Sequence, residues 1–363
     1  MDKTQKQFFI NSTFIMTRVL VVATSRKTRG GITSVVKAHE TGEQWKKYHC
    51  RWIQTHRDGN PIRKLWYLFT ALIEYACLLP FYDIVHIHAG LRTSINRKII
   101  FARIAKACHK KIIVHFHPAT EKHLFDKHFK YDIERLFSYA DLLLVLSPQW
   151  IRWINEAYPE RHFNMQVLYN PCPNVSRDFS KKKNHILFAG TLSDRKGYNR
   201  LLQAFAKIAH EFPDWKIVFA GNGEIEKAKE LQKKLDIPES QTEYLGWVSG
   251  KEKEKAFHEA SVYCLPSWGE GFPMGVLDAW AYGIPVITTP VGGMVDIIDN
   301  GENGLIYDIY DIDKLSDCLS MLMKSPELRD KIVKRADELV YGEFNIVNIT
   351  KQLDRIYSSL CQD

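Results

Sequence analysis

Residues 267–288, SWGEGFPMGVLDAWAYGIPVIT, combine two carboxylates with a glycine-rich turn. The pattern predicts a strand that ends at Pro266, a loop that carries Glu270, and a helix that starts close to Gly275 with Asp278 in its first turn. Backbone amides at a helix N-terminus have no intrahelical partner, so this turn could bind phosphate or sugar oxygens. The residues predicted to form the turn are Gly271, Phe272, Pro273, Met274 and Gly275.

A purely structural role would account for Asp278 but not for the rest of the segment. A carboxylate near a helix N-terminus interacts favourably with the helix dipole by about 0.3–1 kcal/mol, which is reason enough for Asp278. The same interpretation leaves Glu270 as an exposed loop acid and gives no reason for a Gly-Phe-Pro turn directly after it. We therefore interpret the segment as part of a binding site for an oxygen-rich ligand.

Two cations precede a predicted helix in AGTLSDRKGYNRLLQAFAKI, residues 189–208. Arg195 and Lys196 fall where a helix over 196–211 is predicted to begin, at the positive end of its dipole. Cations there are unfavourable by on the order of a few tenths of a kcal/mol each, unless an anion lies between them and the helix. A diphosphate would supply that anion, which favours a binding function for this loop.

Two further glycine-rich turns follow predicted strands. Gly30 and Gly31 come after the first strand, where they would let the backbone approach a ligand closely. AGNGEIE, with Gly221 and Gly223, resembles a dinucleotide fingerprint but has Glu226 in place of the third glycine. The second turn therefore argues poorly for a nicotinamide cofactor and better for a tight turn near a nucleotide.

Four histidines form two HxH pairs, His86/His88 and His115/His117, on neighbouring predicted strands. Spacing by two places each pair on one face of its strand. Such a group could bind a metal, but no carboxylate or cysteine set stands at ligand spacing, so we do not favour a metal site. We expect His117 to face a cleft at the strand end, and His86 and His115 to lie in the core.

Short apolar runs alternate with helical stretches along the chain, which is typical of parallel sheets with crossover helices. Its 363 residues exceed the usual length of one domain, and turn formers at 170–184 divide it. The predicted strands are 18–24, 49–55, 83–89, 111–117, 142–147 and 165–170, and after the break 185–190, 215–221, 242–246, 262–266, 285–289 and 304–308. The predicted helices include 32–46, 63–78, 95–108, 196–211, 224–235, 251–260, 275–283 and 345–360.

The predicted fold class is α/β, with two doubly wound, Rossmann-like domains that face each other across a cleft. We expect an N-terminal domain over 1–177, a C-terminal domain over 178–343, and a terminal helix within 344–363 that crosses back to the first domain. Ligands of open parallel sheets bind beyond the carboxyl ends of the strands, so the motifs above should line the cleft.

The charge of the chain is unevenly distributed. Residues 1–180 hold 27 Lys and Arg against 14 Asp and Glu, whereas the remainder hold 23 against 28, for a net charge of +8. A basic first half indicates an anionic partner. On charge alone nucleic acid, an acidic membrane face and a phosphate-bearing substrate all remain open, as does a basic surface that is merely solvated.

Composition predicts a cytoplasmic protein. The seven cysteines are scattered and contain no CxxC pair, which favours a reducing compartment. The first residues, MDKTQKQFFINSTF, lack a long apolar core, so we expect no signal peptide. The apolar window 65–82 has Glu74 in its middle and Pro80 near its end, which favours a buried or interfacial helix over a membrane span.

Taken together, these motifs resemble those of the family 4 glycosyltransferases, which are retaining enzymes of the two-domain GT-B fold. The resemblance covers nearly the whole chain and is most specific over 186–308, where GTLSDRKG, AGNG, YLGWVS, EGFPMGVLD and GIPVITTPVGG stand in the family's order. Two residues depart from the pattern. Asp278 stands where the family's second acid is Glu, and Thr191 stands where many members have an Arg beside the diphosphate.

The resemblance implies a donor site in the second domain and an acceptor site mainly in the first. Lys196, helped by Arg195, would neutralise the diphosphate leaving group, and Glu270 would hold sugar hydroxyls and the oxocarbenium-like centre. Asp278 would accept hydrogen bonds from the ribose, and His117 would contact the sugar near the reacting carbon. The other donor-binding residues that it implies are Gly30, Gly31, Gly221, Gly223, Val248 and the turn from Gly271 to Gly275.

The implied activity is that of a hexosyltransferase, which moves a sugar from a UDP- or GDP-linked donor without a metal or other cofactor. The acceptor would be a glycan or a polyprenyl-diphosphate-linked molecule in cell-surface polysaccharide assembly. Cationic, aromatic segments such as that around Trp66 suit an anionic membrane, so we expect a position in the cytoplasm, peripheral on the inner membrane. The alternatives are a GT-B sugar-nucleotide epimerase and a non-enzymatic basic module. No helix with base-reading residues is visible, so nucleic acid is not an expected partner.

Overall fold

Two parallel sheets of six strands each organise the computed structural model, which describes residues 17–90 and 92–361. The segment in which no signal peptide is predicted lies outside the described residues. The strands of the first sheet are β1 Val19–Ala23, β2 Arg51–Gln54, β3 Ile84–Ala89, β4 Lys111–Phe116, β5 Leu142–Val145 and β6 Met165–Val167. Those of the second are β7 His185–Ala189, β8 Lys216–Ala220, β9 Thr242–Tyr244, β10 Val262–Leu265, β11 Val286–Thr288 and β12 Leu305–Ile306.

The strand order places a crevice in each sheet. The first sheet runs β2-β1-β3-β4-β5-β6, and the second runs β12-β11-β10-β7-β8-β9. The direction of winding therefore reverses between β1 and β3, and again between β7 and β10. At such a reversal the loops that follow neighbouring strands diverge, and ligands bind in the gap between them.

Helices cover both faces of each sheet. The central strands are nearly continuous apolar runs, such as VLVVA in β1, because a sheet covered on both faces buries every side chain. The helices of the first half are α1 Gly31–Glu40, α2 Glu43–Lys47, α3 Pro61–Leu78, α4 Arg92–Ala107, α5 Lys122–Phe125, α6 Lys127–Phe137 and α7 Pro148–Ala157. Those of the second half are α8 Tyr198–Ala206, α9 Ile225–Lys234, α10 Lys251–Glu259, α11 Met274–Ala281, α12 Met294–Ile297, α13 Ile312–Lys324, α14 Pro326–Tyr341 and α15 Ile346–Leu360.

The predicted α/β fold with two doubly wound domains is confirmed, whereas the predicted start of one helix and the predicted place of Asp278 in another are wrong. The helix predicted over 196–211 begins only at Tyr198, because Gly197 takes a left-handed φ of +81° and ends the preceding turn. The helix predicted to start close to Gly275 begins at Met274. Asp278 is consequently the fifth residue of α11 and lies outside its first turn, so the helix dipole does not explain it.

The last helix, α15, packs on the first domain. The Lys47 ammonium pairs with Asp354 at 2.6 Å, and the Tyr357 hydroxyl lies 2.8 Å from Nδ1 of His86 on β3. Ile349 and Leu353 are fully buried in the same cluster as strand residues of the first sheet. The chain therefore ends on the face of the first sheet that α1 also covers.

One helical stretch of the described chain, Pro61–Phe81, is long and apolar enough to cross a membrane by length and composition alone. It comprises α3 and the turn that follows, and only 17% of its most apolar window is buried within the protein. Glu74 pairs with Arg51 at 2.7 Å. Of the two predicted descriptions of this helix, buried or interfacial, the low burial excludes the first.

Candidate active site

A cavity of about 840 Å³ lies between the two domains. Loops that follow β1, β4, β7 and β10 line it, together with the first residues of α1 and α11. These loops include the one after β1, at the reversal of the first sheet, and both loops at the reversal of the second, which is why residues far apart in sequence meet here. The predicted site residues that line the cavity are Gly30, Gly31, His117, Arg195, Lys196, Val248, Glu270, Gly271, Phe272, Pro273, Met274, Gly275 and Asp278.

Glu270 joins the two predicted cations. Its Oε1 lies 2.6 Å from Nζ of Lys196 and 3.1 Å from Nη1 of Arg195, and it accepts a hydrogen bond of 2.8 Å from the Ser267 hydroxyl. Glu270 is only 6% exposed. A diphosphate is the anion that the sequence predicts beside these cations, but the protein supplies a carboxylate of its own. Two cations still share a single carboxylate, so the cluster keeps a net positive charge facing the cavity.

Gly197 allows the loop that carries Lys196 to contact the loop that carries Glu270. A Cβ on Gly197 would lie 1.9 Å from the carbonyl oxygen of Pro266, which no side chain could tolerate. The loop after β7 can therefore lie directly against the loop after β10 only because residue 197 is glycine. The contact sets Lys196 beside Glu270.

Asp278 has a cationic partner that sequence reasoning missed. The Lys253 ammonium of α10 lies 2.7 Å from Oδ2 of Asp278, which is 9% exposed. Burial raises the pKa of Asp278, and the charge and hydrogen bond of Lys253 partly offset that rise. Lys253 lies within KEKEK at the start of a helix, a pattern that indicates a solvated surface and gives no hint of this pair.

The turn from Gly271 to Gly275 is held by the first domain. The indole Nε1 of Trp150 donates a 3.1 Å hydrogen bond to the carbonyl of Gly271, and the Asn170 amide donates one of 3.0 Å to the carbonyl of Phe272. These two bonds hold the turn in place beside the cavity, which the first residues of α11 also line. The first amides of α11 have no intrahelical acceptor, so this helix end can bind an anion.

The first-domain side of the cavity is cationic. Among its described lining residues, Arg26, Lys27, Arg29 and Lys37 are charged and none is Asp or Glu. Arg26 pairs with Glu40, which lies outside the lining, and the Arg29 guanidinium lies over the Trp247 ring, 4.9 Å from its centroid. Of this loop, only Gly30 and Gly31 are among the site residues predicted from the sequence. The signal for the rest was present, because the cations immediately precede the glycine pair.

His117 stands at the end of β4 and lines the cavity, where its ring is held by a second histidine. Nε2 of His117 lies 2.9 Å from Nδ1 of His88. Burial lowers the pKa of His117 to about 3, so the ring is neutral near pH 7. Because Nε2 of His117 is hydrogen-bonded to His88, Nδ1 is the ring nitrogen that could contact a ligand.

The other members of the HxH pairs are buried in the first domain. His86, His88 and His115 are at most 1% exposed, and one ring nitrogen of each lies within 4.8 Å of those of the other two. This group of three contains imidazoles alone, and the expectation that it holds no metal stays a prediction. His86 and His115 lie in the core, as the strand pattern indicates.

Gly221 and Gly223 differ from the other predicted site residues, because neither is part of the cavity lining. A Cβ on Gly221 would lie 1.7 Å from the carbonyl oxygen of Gly190, and one on Gly223 would lie 2.2 Å from that of Leu192. The close approach of the loops after β7 and β8 therefore explains both glycines. Their contact with a nucleotide stays a prediction.

Comparison with known proteins supports a glycosyltransferase. Residues 175–339, which make up most of the second domain, match the family described as Glycosyl transferases group 1. An uncharacterized glycosyltransferase of Methanocaldococcus jannaschii is 24% identical over 319 residues, which are 87% of this chain and 75% of that protein. A phosphatidyl-myo-inositol mannosyltransferase of Mycolicibacterium smegmatis is 25% identical and covers 77% of this chain and 72% of its own.

Solved structures agree on the fold. A sucrose-phosphate synthase of Thermosynechococcus elongatus superimposes with a TM-score of 0.77 at 16% identity, over 95% of this chain and 99% of that one. Anabaena HepE, solved with UDP and glucose, superimposes with a TM-score of 0.72 at 15% identity, over 94% of this chain and all of its own. Residues 175–339 thus match a group 1 glycosyl transferase domain, and the two sheets with their helices have the two-domain GT-B fold.

Proposed function

We propose that this protein is a retaining glycosyltransferase of family 4, which transfers a hexose from a nucleoside-diphosphate sugar to a phosphate-bearing acceptor. The observation that carries the proposal is the cluster of Lys196, Arg195 and Glu270 at the winding reversal of the second sheet. The group 1 domain match and the UDP in the HepE structure support the choice of donor class.

The cations are suited to a departing diphosphate. When the glycosidic bond to the nucleotide breaks, negative charge accumulates on the phosphate oxygens, and fixed cations stabilise that charge most strongly in a site that excludes water. Lys196 would leave Glu270 for the diphosphate as the donor binds, with Arg195 and the first amides of α11 beside it. We propose that these groups act without a divalent metal.

Glu270, released by Lys196, would accept hydrogen bonds from hydroxyls of the donor sugar and stabilise positive charge at its reacting carbon. Asp278, held by Lys253, would accept those of the ribose diol, and neutral His117 would donate or accept one hydrogen bond near the reacting carbon. Gly30 and Gly31 would let the first domain close over the phosphates. Retention of the anomeric configuration is proposed from the sequence resemblance alone.

The acceptor that we propose is anionic. The first-domain side of the cavity carries four cationic side chains, those of Arg26, Lys27, Arg29 and Lys37. Lys196 and Arg195 of the second domain already face the donor diphosphate, so the cavity holds more positive charge than that diphosphate requires. Phosphate or diphosphate on the acceptor would neutralise the excess. A polyprenyl-diphosphate-linked glycan of cell-surface polysaccharide assembly fits this requirement.

Donor binding is the first test. The full chain is screened by thermal shift against UDP, GDP and ADP and their common sugars, and the donor that stabilises it is used in transfer and donor-hydrolysis assays. We expect stabilisation by one nucleotide family. An epimerase would convert the donor with no acceptor present, so product analysis with donor alone separates the two activities.

Substitutions then test the proposed roles. Lys196→Ala and Glu270→Ala should each lower kcat by about 10²–10³-fold, because each removes a charge placed for the transition state. Lys207→Ala is the matched control, since Lys207 pairs with Asp313 on the exposed surface of the same domain. Turnover within a few-fold of wild type in either active-site variant would refute the roles.

Metal independence has its own measurement. Transfer rates are compared after dialysis against EDTA and after addition of Mg²⁺ or Mn²⁺. We expect rates within about twofold of each other, because Lys196 and Arg195 provide the positive charge that a metal provides in other enzymes. Loss of activity in EDTA that Mn²⁺ restores would contradict this part of the proposal.

A further inference from the structure

The outward side of α3 and the turn after it is apolar, although nothing in the described chain covers it. Six large apolar side chains are each more than half exposed. They are Ile62 (79%), Leu65 (68%), Trp66 (62%), Phe69 (54%), Ile73 (51%) and Phe81 (65%). These six residues are called the α3 face below.

The α3 face is a continuous stripe. Its helical members are spaced by three or four residues, which places them side by side on one side of the helix. The opposite side of the helix packs inward through Ala71 and Tyr75, which are 3% and 0% exposed. A surface helix with apolar residues on both sides is unusual, since the solvent side normally carries polar residues. Contiguous exposed apolar side chains of this kind mark a protein or membrane interaction site.

Cations accompany the stripe. Arg63 and Lys64 alternate with its residues in the sequence, and both are exposed. Arg63 borders the stripe, whereas Lys64 lies at the first turn on the side of the helix that carries Ala71. The one carboxylate in α3, Glu74, is already paired with Arg51. Apolar and aromatic side chains beside Lys and Arg, with no unpaired acid on the helix, match the surface of an anionic bilayer.

Two other occupants fit less well. A second copy of the chain would meet the first through the same patch on both, which would bring Arg63 and Lys64 against their own counterparts. A membrane span would require α3 to leave the fold, but Tyr75 is fully buried and donates a 3.0 Å hydrogen bond to the carbonyl of Phe101. The helix can therefore lie on a bilayer while remaining packed on its domain.

The α3 face adjoins the cationic side of the cavity. The segment between β2 and α3 bonds directly to the loop after β1, since the Ser25 amide donates to the carbonyl of His56 at 2.7 Å and the Arg29 amide to Asp58 at 3.3 Å. A surface bound to α3 would consequently lie near the cations that we assign to the acceptor.

We propose that the α3 face binds the surface of an anionic lipid bilayer and thereby presents the cavity to a lipid-borne acceptor. The presentation of the cavity to an acceptor rests on the proposed function, whereas binding of the α3 face to the bilayer does not. Phe69 and Trp66, whose ring centroids are 6.1 Å apart, enter the interface with Leu65, while Arg63, at the border of the stripe, contacts the lipid phosphates.

Sedimentation with vesicles tests the proposal. The full chain is mixed at low salt with vesicles of phosphatidylcholine alone or with phosphatidylglycerol added. We expect binding to the anionic vesicles, weakened at least about tenfold by the triple substitution Leu65→Ser, Trp66→Ser, Phe69→Ser. Arg63→Gln with Lys64→Gln should weaken binding and reduce its dependence on salt. Tyr310→Ser and Val347→Ser, which alter exposed apolar residues elsewhere, should bind as wild type does.

Three results would overturn the proposal. They are absence of wild-type binding to anionic vesicles at low salt, binding by the triple variant equal to wild type, and self-association of the wild type that the triple variant loses. Thermal unfolding verifies that each variant folds. Donor hydrolysis in the absence of lipid separates this proposal from the proposed function, because the triple variant should retain it. Vesicle binding without any nucleotide-sugar activity would refute the function and leave the membrane surface in place.

Discussion

Asp278 depends on one partner for its charge. Burial raises the pKa of this carboxyl and Lys253 lowers it, so replacing Lys253 removes the group that favours the ionised form. We expect Lys253→Met to raise the pKa of Asp278 further and to weaken binding of the nucleotide by about tenfold. The free energy of unfolding should fall by about 1–3 kcal/mol, near the lower end because the Lys253 side chain is 39% exposed.

The measurements for Lys253 are nucleotide affinity by calorimetry and urea unfolding. Lys251→Met, on the exposed side of the same helix, is the control and should alter neither. As the pH is lowered, the nucleotide affinity of Lys253→Met should begin to fall at a higher pH than that of the wild type, because Asp278 is protonated sooner in the variant. Unchanged affinity at every pH would show that the ribose does not use this carboxylate.

At the scale of elements, the ends of the strands could be predicted to within three residues, because uninterrupted apolar runs are short and bounded by turns. β3 was predicted over 83–89 and spans Ile84–Ala89. Helix starts were less predictable, because they depend on backbone conformation and on contacts between loops. The left-handed Gly197 delays α8, and that conformation reflects the approach of Pro266, a residue separated from it in sequence by three strands.

The histidines of β3 and β4 make the first domain sensitive to acid. Burial lowers the pKa of His86, His88 and His115 well below 6.5, and lowers that of His39 on α1 to about 3. Below pH 6.5 the unfolded chain therefore binds protons that the folded chain does not. Stability should be complete above about pH 6.5 and should fall as the pH decreases, by up to about 1.4 kcal/mol per pH unit for each histidine.

Urea unfolding between pH 7.5 and 5.5 measures this slope. His115→Leu removes one of the four imidazoles and should reduce the slope by up to about one proton. His162→Leu, which alters an exposed histidine of the same domain, should leave the slope as it is in wild type. Equal slopes in wild type and His115→Leu would contradict the assignment of a neutral, buried His115.

At the scale of the whole molecule, the sequence predicts which loops lie together at the cleft but not which side chains form the contacts between the two domains. The parallel strands and the break at 170–184 predict two sheets with their carboxyl edges towards one cleft. Side-chain pairs between domains, such as Lys122 over Trp268 at 5.0 Å, leave no trace in periodicity or spacing. Asn170 and Trp150, which fix the Gly271 turn, were overlooked for the same reason.

Arg29 and Trp247 form such a pair across the cavity, and they are placed to couple closure of the domains to donor binding. The Arg29 guanidinium lines the cavity from the first domain and lies over the Trp247 indole of the second domain. Arg29→Met and Trp247→Leu should each raise the KM for the donor by about three- to tenfold. In the double variant the two effects should be less than additive, because both substitutions remove the same cation–π contact. The coupling energy calculated from the four values of kcat/KM should be about 0.5–2 kcal/mol.

Small-angle scattering of the unliganded protein should record a larger radius of gyration in either single variant, with recovery on addition of the nucleotide. Strict additivity, with no change in radius, would mean that the pair lies across the cleft without holding it closed.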